Sequence, residues 1–248
     1  MFSNVIEFSV HEQLEGLKEI YPIPATVSVP EWFKKLNHNR DTRTIKGCMP
    51  FLDALTAGYI LPMPQEFRLH HNYYNKENKR QETVLTPSLL MTTDQVYRED
   101  VNINAAPQFH NPQQLDGSPL IEKNKYLPVG KFLNPFIIKT PPGYSCLFIP
   151  PMNNRDDRFE IISGIVDTDT FKMHINFPFI VNGDKYTQLD TVIKRGTPYV
   201  QVVPFKRQSW KMKVTPTTSK KIWKDKLHYD TSNFRNYQFN FWSKKSWK

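Results

Sequence analysis

Asp167 and Asp169, in the run SGIVDTDTF, are the pair of residues best placed by type and spacing to do chemistry. In a strand, positions two apart project to the same face, so both carboxylates would enter one site. Paired carboxylates hold a divalent ion or polarise water. Asp-Thr-Asp after valine is also ordinary turn chemistry, with side chains accepting from nearby backbone N–H groups. Both readings stand at this point.

Other combinations carry less. His70 and His71 adjoin, while His110 and His174 stand alone. A two-histidine, one-carboxylate iron site needs His-x-Asp followed by a distal histidine. The sequence offers His228 with Asp230 and no histidine after it. No Gly-rich phosphate loop and no Gly-x-Ser-x-Gly elbow occurs. Cys48 and Cys146 sit in apolar runs without histidines at ligand spacing. They are expected as buried small side chains, and no metal site is expected.

The elements that must position the carboxylates lie between Phe136 and Trp210. FIIKTPPGYSCLFIPP, FEIISGIVDTDTFKMHINFPFIV and DTVIKRGTPYVQVVPFKRQSW are β-branched and aromatic runs cut by Pro-Gly, Asn-Gly and Arg-Gly. They read as successive strands joined by turns. With 20 prolines against 9 glycines, the 248-residue chain favours short extended segments over long helices. Hydrophobic residues at 39% suffice for a packed interior.

Residues 1–49 read as an extended lead-in carrying one short helix, Glu31 to Leu36. Trp32 is expected there as a core anchor. A core of residues 50–214 follows. It holds a short helix from Pro50 to Ala57 ended by Gly58, then strands at Tyr59–Leu61 and Phe67–Leu69. Its segment 72–131 reads as a charged-tip hairpin and a long loop, which in a compact domain covers something or meets a partner. Residues 215–248 form a basic-aromatic end, with a helix starting at Thr218 or Ser219 and Ile222, Trp223 and Leu227 on one side. Most of the net charge of +9 lies after Thr218. Arg235, Trp242, Lys244, Lys245 and Trp247 are the candidate partner-binding residues of the tail. Its rings either dock on the domain or a neighbouring subunit, or stack on single-stranded nucleic acid. The start of the chain lacks a signal-peptide pattern and no run is long enough to span a membrane, so a soluble intracellular protein is expected.

The order of four segments resembles the trimeric dUTPase and dCTP deaminase family. TAGYILP is similar to that family's Ala-Gly-Tyr-Asp-Leu opening, and TPPGYSCLFIPP to its Pro-x-Gly-Tyr strand. SGIVDTDTF is similar to its catalytic Gly-Val-Ile-Asp-x-Asp-Tyr segment, and IKRGTPYVQVVPF to its Gly-Asp-x-x-Ala-Gln-Leu strand. The resemblance covers about half the chain. It implies a mainly β fold of the dUTPase-like β-clip type, a distorted antiparallel barrel or sandwich with a few short helices, often trimeric. It carries Asp167, Asp169 and Gln201 into the family's site, with Gly58, Tyr59, Arg155 and Arg158 as further ligand-binding candidates. The departures are Ile60 for the first carboxylate, Pro151-Met152 for the phosphate-holding Arg-Ser, Thr170 for the tyrosine, and no Gly-rich lid. Without the phosphate grip, phosphoryl chemistry loses its charge stabilisation.

Across its whole length the chain also resembles a family seen in tailed phages, notably marine cyanophages, and in some bacteria. PEWFKKL, KGCMPFLDALTAGYILP, GIVDTDTF, INFPF and RGTPYVQVVPFKR carry that likeness. It implies a viral protein of the host cytoplasm or the virion and brings no activity. The resulting expectation is a non-enzymatic, self-associating phage protein whose candidate partners are virion proteins or a nucleotide, with no cofactor. The alternatives are a divergent Mg²⁺-dependent nucleotide hydrolase using Asp167 and Asp169, and a nucleic-acid binder acting through the tail.

Overall fold

A computed structural model describes residues 4–72, 82–87, 108–110, 112–120, 129–230 and 234–248. The chain is mainly β. Fourteen strands among the described residues pair antiparallel throughout, and four short α-helices accompany them.

The strands run β1 (Glu7–Val10), β2 (Ile23–Pro24), β3 (Tyr59–Pro62), β4 (Phe67–Asn72), β5 (Glu82–Pro87), β6 (Gln108–His110) and β7 (Val129–Phe132). After them come β8 (Phe136–Lys139), β9 (Tyr144–Ile149), β10 (Phe159–Ile161), β11 (Gly164–Val166), β12 (Phe177–Val181), β13 (Gln188–Ile193) and β14 (Pro198–Lys206). They form a five-stranded sheet β11-β9-β14-β3-β2, a four-stranded sheet β10-β12-β7-β6, a three-stranded sheet β13-β4-β5 and the pair β1-β8. Among the described residues these sheets do not close into a barrel. The helices are α1 (Glu31–Lys35), α2 (Met49–Thr56), α3 (Ser219–Asp230) and α4 (Asn236–Asn240).

One core joins the four sheets. It takes Ile138 from β8, Phe132 and Phe179 from the four-stranded sheet, Leu69 and Ile193 from the three-stranded sheet, and Phe148 and Val200 from the five-stranded sheet. Leu14 and Ile20 from the N-terminal lead-in are fully buried in it too. Large rings fill its centre. Phe132 stacks on Phe179 at 4.0 Å between centroids, and Tyr199 meets Phe132 and Phe177 edge-on. Such ring pairs add about 0.5–1.5 kcal/mol each beyond area burial. Gly130 lets the Phe179 ring lie against the β7 backbone, because a Cβ there would stand 2.3 Å from the ring.

Helix α2 ends where expected. Gly58 takes φ +66°, and its missing Cβ would lie 1.9 Å from the Val202 carbonyl oxygen on β14. That glycine therefore turns the chain out of α2 and lets β3 sit tightly on β14. The hairpin reading at Asn72 is matched by the β4–β5 pairing from Phe67↔Pro87 to Asn72↔Glu82, its charged tip lying outside the described residues. The long loop of residues 72–131 contains more order than its composition suggests. Its β6 pairs with β7, Phe109 opposite Gly130, and a single 3₁₀ turn follows at Pro112–Leu115. Trp32 departs from expectation: it is 45% exposed, edge-on to Phe33 and Phe51, while Phe33 is the residue of α1 that is buried. In a single-turn helix only one side faces the core, and Phe33 takes it.

No helix among the described residues is long and apolar enough to cross a membrane.

Candidate functional site: a carboxylate clamp and the arm it roots

Asp167 and Asp169 are not strand residues. Strand β11 stops at Val166, and the carbonyl of Asp167 accepts the N–H groups of Thr170 at 3.1 Å and Phe171 at 2.9 Å. The turn chemistry of Asp-Thr-Asp wins over the alternation because β11 is only three residues long. The two carboxylates still converge, because both face one cation.

That cation is Arg207, the first residue after β14. Its backbone N–H donates to the Gly143 carbonyl at 2.8 Å. Its Nη1 donates to Asp169 Oδ1 at 2.8 Å, to Ser145 Oγ at 3.0 Å and to the Tyr144 carbonyl at 2.9 Å. Nη2 donates to Asp169 Oδ2 at 2.5 Å, which makes the pair bidentate. Asp169 also accepts the Gly143 N–H at 2.8 Å, and its side chain is only 6% exposed. The guanidinium, followed by the Gly143 N–H, holds the Asp169 carboxyl down at about 2. Asp167 accepts Ser145 Oγ at 2.6 Å and lies 3.2 Å from Arg207 Nη1, with 59% of its side chain in solvent. The clamp is one anion-rich socket filled by the chain's own arginine.

The remaining candidates are spread over the body. Gln201, in the centre of β14, is 1% exposed. Its Nε2 donates to the carbonyls of Ala54 at 2.9 Å and Ala57 at 2.7 Å, and its Oε1 accepts the Met152 N–H at 2.7 Å. The amide thus ties α2, β14 and the Pro151-Met152 turn together. Ile60, set by the sequence resemblance where a carboxylate would be expected, is 3% exposed. Arg158 is engaged with Asp156, Thr191 and the Val192 carbonyl. Arg155 lies 3.4 Å from Glu160, and both line an open hollow of about 660 Å³ with Trp32, Met152 and Asn154. Asp167 is not among the residues lining that hollow. Among the described residues no cluster of three or more histidine, cysteine, aspartate or glutamate side chains could hold a metal ion. Cys146 is buried and accepts from Thr168 Oγ1, and burial pushes its thiol up to about 11; Cys48 is half-buried.

The tail divides in two. Its last part docks on the body. Trp242 Nε1 donates to both oxygens of Asp53 on α2, at 3.1 and 2.9 Å, and Lys245 Nζ donates to the same carboxylate at 2.6 Å. Trp247 meets the Tyr59 ring edge-on, and Tyr59 Oη donates to the Lys248 carbonyl at 3.1 Å. Arg235 adopts φ +68° at the start of α4 and lines, with Gln238, a hollow of about 320 Å³ against α1 and α2. Lys244 is exposed. The docking of rings on the body was one of the two sequence readings; that the acceptor is Asp53, 189 residues away from Trp242, could not be read from local pattern.

Between these anchors lies a segment that does not dock. Residues 208–218 carry no strand or helix and are all exposed. Trp210 is 88% exposed, Met212 87% and Val214 84%; on α3, Ile222 is 55% and Trp223 65% exposed. Residues 207–248 contain eleven lysines and arginines and two aspartates, which accounts for the whole net charge of +9. Residues 1–206 carry 22 charges of each sign and are neutral. Trp210 Nε1 and the clustered lysines around it face solvent. The strand run expected to reach Trp210 ends at Lys206, and the exposed alternation from Trp210 to Val214 was not singled out in the sequence.

No protein-family model, curated protein or solved structure matches the chain.

Proposed function

We propose that the chain is a non-enzymatic assembly protein on a degenerate dUTPase-like β-clip framework, one that self-associates and binds a partner through its exposed C-terminal arm. The observation that carries this reading is the clamp. The carboxylates at the family's catalytic positions hold Arg207, and Arg207 roots the arm. Asp169, held by an arginine and a backbone N–H, is stabilised as an anion and is a weak base. The Gln201 amide is likewise spent on three backbone groups. The tailed-phage likeness supports a virion component, or alternatively an intracellular factor of the infected host, and the trimeric state follows from the dUTPase likeness.

Two measurements on the purified chain test it. Sedimentation equilibrium is expected to give an oligomer, a trimer by the family likeness, and incubation with deoxynucleoside triphosphates and Mg²⁺ is expected to release no product. A monomer at all concentrations sinks the reading, and so does hydrolysis or deamination at ordinary enzyme rates.

One observation favours a second reading, a divergent Mg²⁺-dependent nucleotide hydrolase: the Asp167 side chain keeps 59% of its surface in solvent. Under that reading Mg²⁺-dependent turnover would be present and would vanish in Asp167→Asn.

A further inference from the structure

Trp210-Lys211-Met212-Lys213-Val214 alternates apolar and cationic residues with a period of two. That is the pattern of a strand with one face buried and one face wet. It is separated from the end of β14 by three residues, has no proline until Pro216, and therefore keeps every backbone N–H a sheet ladder needs. Yet it pairs with nothing among the described residues, and its three apolar side chains stand in solvent. Such a strand is an unfinished element.

The same chain holds a matching vacancy. Among the described residues, strand β11 is the outer strand of the five-stranded sheet, paired only on its β9 side. Ile165 in its middle is 64% exposed, and just beyond the turn Phe171 is 43% and Met173 63% exposed. A free sheet edge flanked by uncovered apolar side chains accepts an added strand. We infer that the Trp210–Val214 strand of one copy adds to the β11 edge of a second copy, its Trp210, Met212 and Val214 face covering Ile165, Phe171 and Met173. This inference rests on the assembly reading above and names the contact through which it operates.

Geometry and size favour a second copy as the occupant. The arm starts at Arg207, which is held by the two aspartates that directly follow β11. Arm root and receiving edge are therefore neighbours on one face, and a symmetry axis beside that face brings each arm to the next copy's edge. The residues 208–218 can span about 35 Å when extended, ample to cross to a neighbour. Trp210 and Trp223 offer roughly 300 Å² between them, and with Met212, Val214 and Ile222 the arm approaches the ~800 Å² that each side of a standard interface supplies. The lysines between the apolar positions would stay on the outer surface. Nucleic acid is the weaker occupant, because its bases would stack on the tryptophans but leave Met212, Val214 and Ile222 uncovered.

Cysteine pairing tests the contact. Two forms of the full chain are made with Cys48→Ser, one carrying Ile165→Cys and the other Met212→Cys with a size tag. They are mixed, allowed to exchange and treated with a short bismaleimide. Cross-linked species of mixed size are expected, with little product from either form alone. Trp210→Lys with Met212→Lys is expected to dissociate the oligomer at least tenfold while leaving the thermal midpoint of the body unmoved. An intact oligomer without the mixed cross-link overturns the β11 contact and spares the assembly reading, whereas a wild-type monomer overturns both. Binding of a single-stranded oligonucleotide that weakens steeply with salt and is lost in Trp210→Ala would reassign the arm to nucleic acid.

Discussion

Trp242 donates its indole N–H to the carboxylate of Asp53 at 2.9 Å, and so fastens the tail to helix α2 from 189 residues away. Lys245 shares the acceptor, and the Asp53 side chain is 24% exposed. Hydrogen bonds to a charged acceptor contribute about 1.5–3 kcal/mol when partly covered. Asp53→Ala is expected to free residues 234–248, seen as new protease cleavage after the aromatic residues of the tail and a stability loss of about 1–2 kcal/mol. Unchanged protection of the tail would mean that Trp247 and Tyr59 suffice to hold it.

Gln201→Leu keeps the volume of the side chain and removes all three of its hydrogen bonds. The Met152 N–H and the Ala54 and Ala57 carbonyls are then left without this partner. Denaturant unfolding is expected to show a loss of about 3 kcal/mol. A substitution that costs nothing would show that the amide is held in place for a ligand and not for the fold.

Tyr199 Oη is buried with no hydrogen-bond partner among the described residues, and burial raises the phenol well above its ordinary value. An unsatisfied buried hydroxyl costs roughly 1–3 kcal/mol. Tyr199→Phe retains the edge-on contacts with Phe132 and Phe177 and is expected to be neutral or stabilising by up to ~1 kcal/mol. Clear destabilisation, read from the denaturant midpoint, would mean the hydroxyl has an ordered water.

The Asp169–Arg207 pair sets a pH signature. The folded carboxyl titrates near 2, below its ordinary value of 3.8, so its contribution is fully present above about pH 4 and is lost as pH falls through 2. The stability difference between the wild type and Asp169→Asn should therefore be constant from pH 7 to about pH 5 and shrink below pH 4. A difference that grows on acidification would contradict the clamp. Because Arg207 also roots the arm, Asp169→Asn should raise amide exchange at Arg207 and Gln208.

Much of the β framework was legible in the chain. The Pro-Gly turn before Tyr144, the α2 stop at Gly58 and the Asn72 hairpin all follow from residues whose backbone preferences act locally. The site was legible only in part. Asp167 and Asp169 stood out, but a strand and a turn predict the same Asp-Thr-Asp spelling, and the arginine that decides their role is 38 residues further on. Gln201 was marked by family likeness; its three partners come from α2 and from the turn at Met152, which no local window contains. Trp32 misled because Trp32 and Phe33 on the single turn of α1 both pack near Phe51 of α2, and burial of Phe33 leaves Trp32 at the rim. The run up to Trp210 was expected as strand, yet β14 stops at Lys206, since a local apolar pattern does not report whether a neighbouring strand is present.

The segregation of charge has a consequence for anyone handling the protein. The sequence isoelectric point of about 9.4 is a property of the last 42 residues, since the preceding 206 are balanced. Cut after Lys206 and separated from its docked tail, the molecule would give a body that focuses near neutrality and a strongly basic fragment. Isoelectric focusing would thus register loss of the arm as a large shift, and a preparation that has shed it would no longer bind a cation-exchange resin.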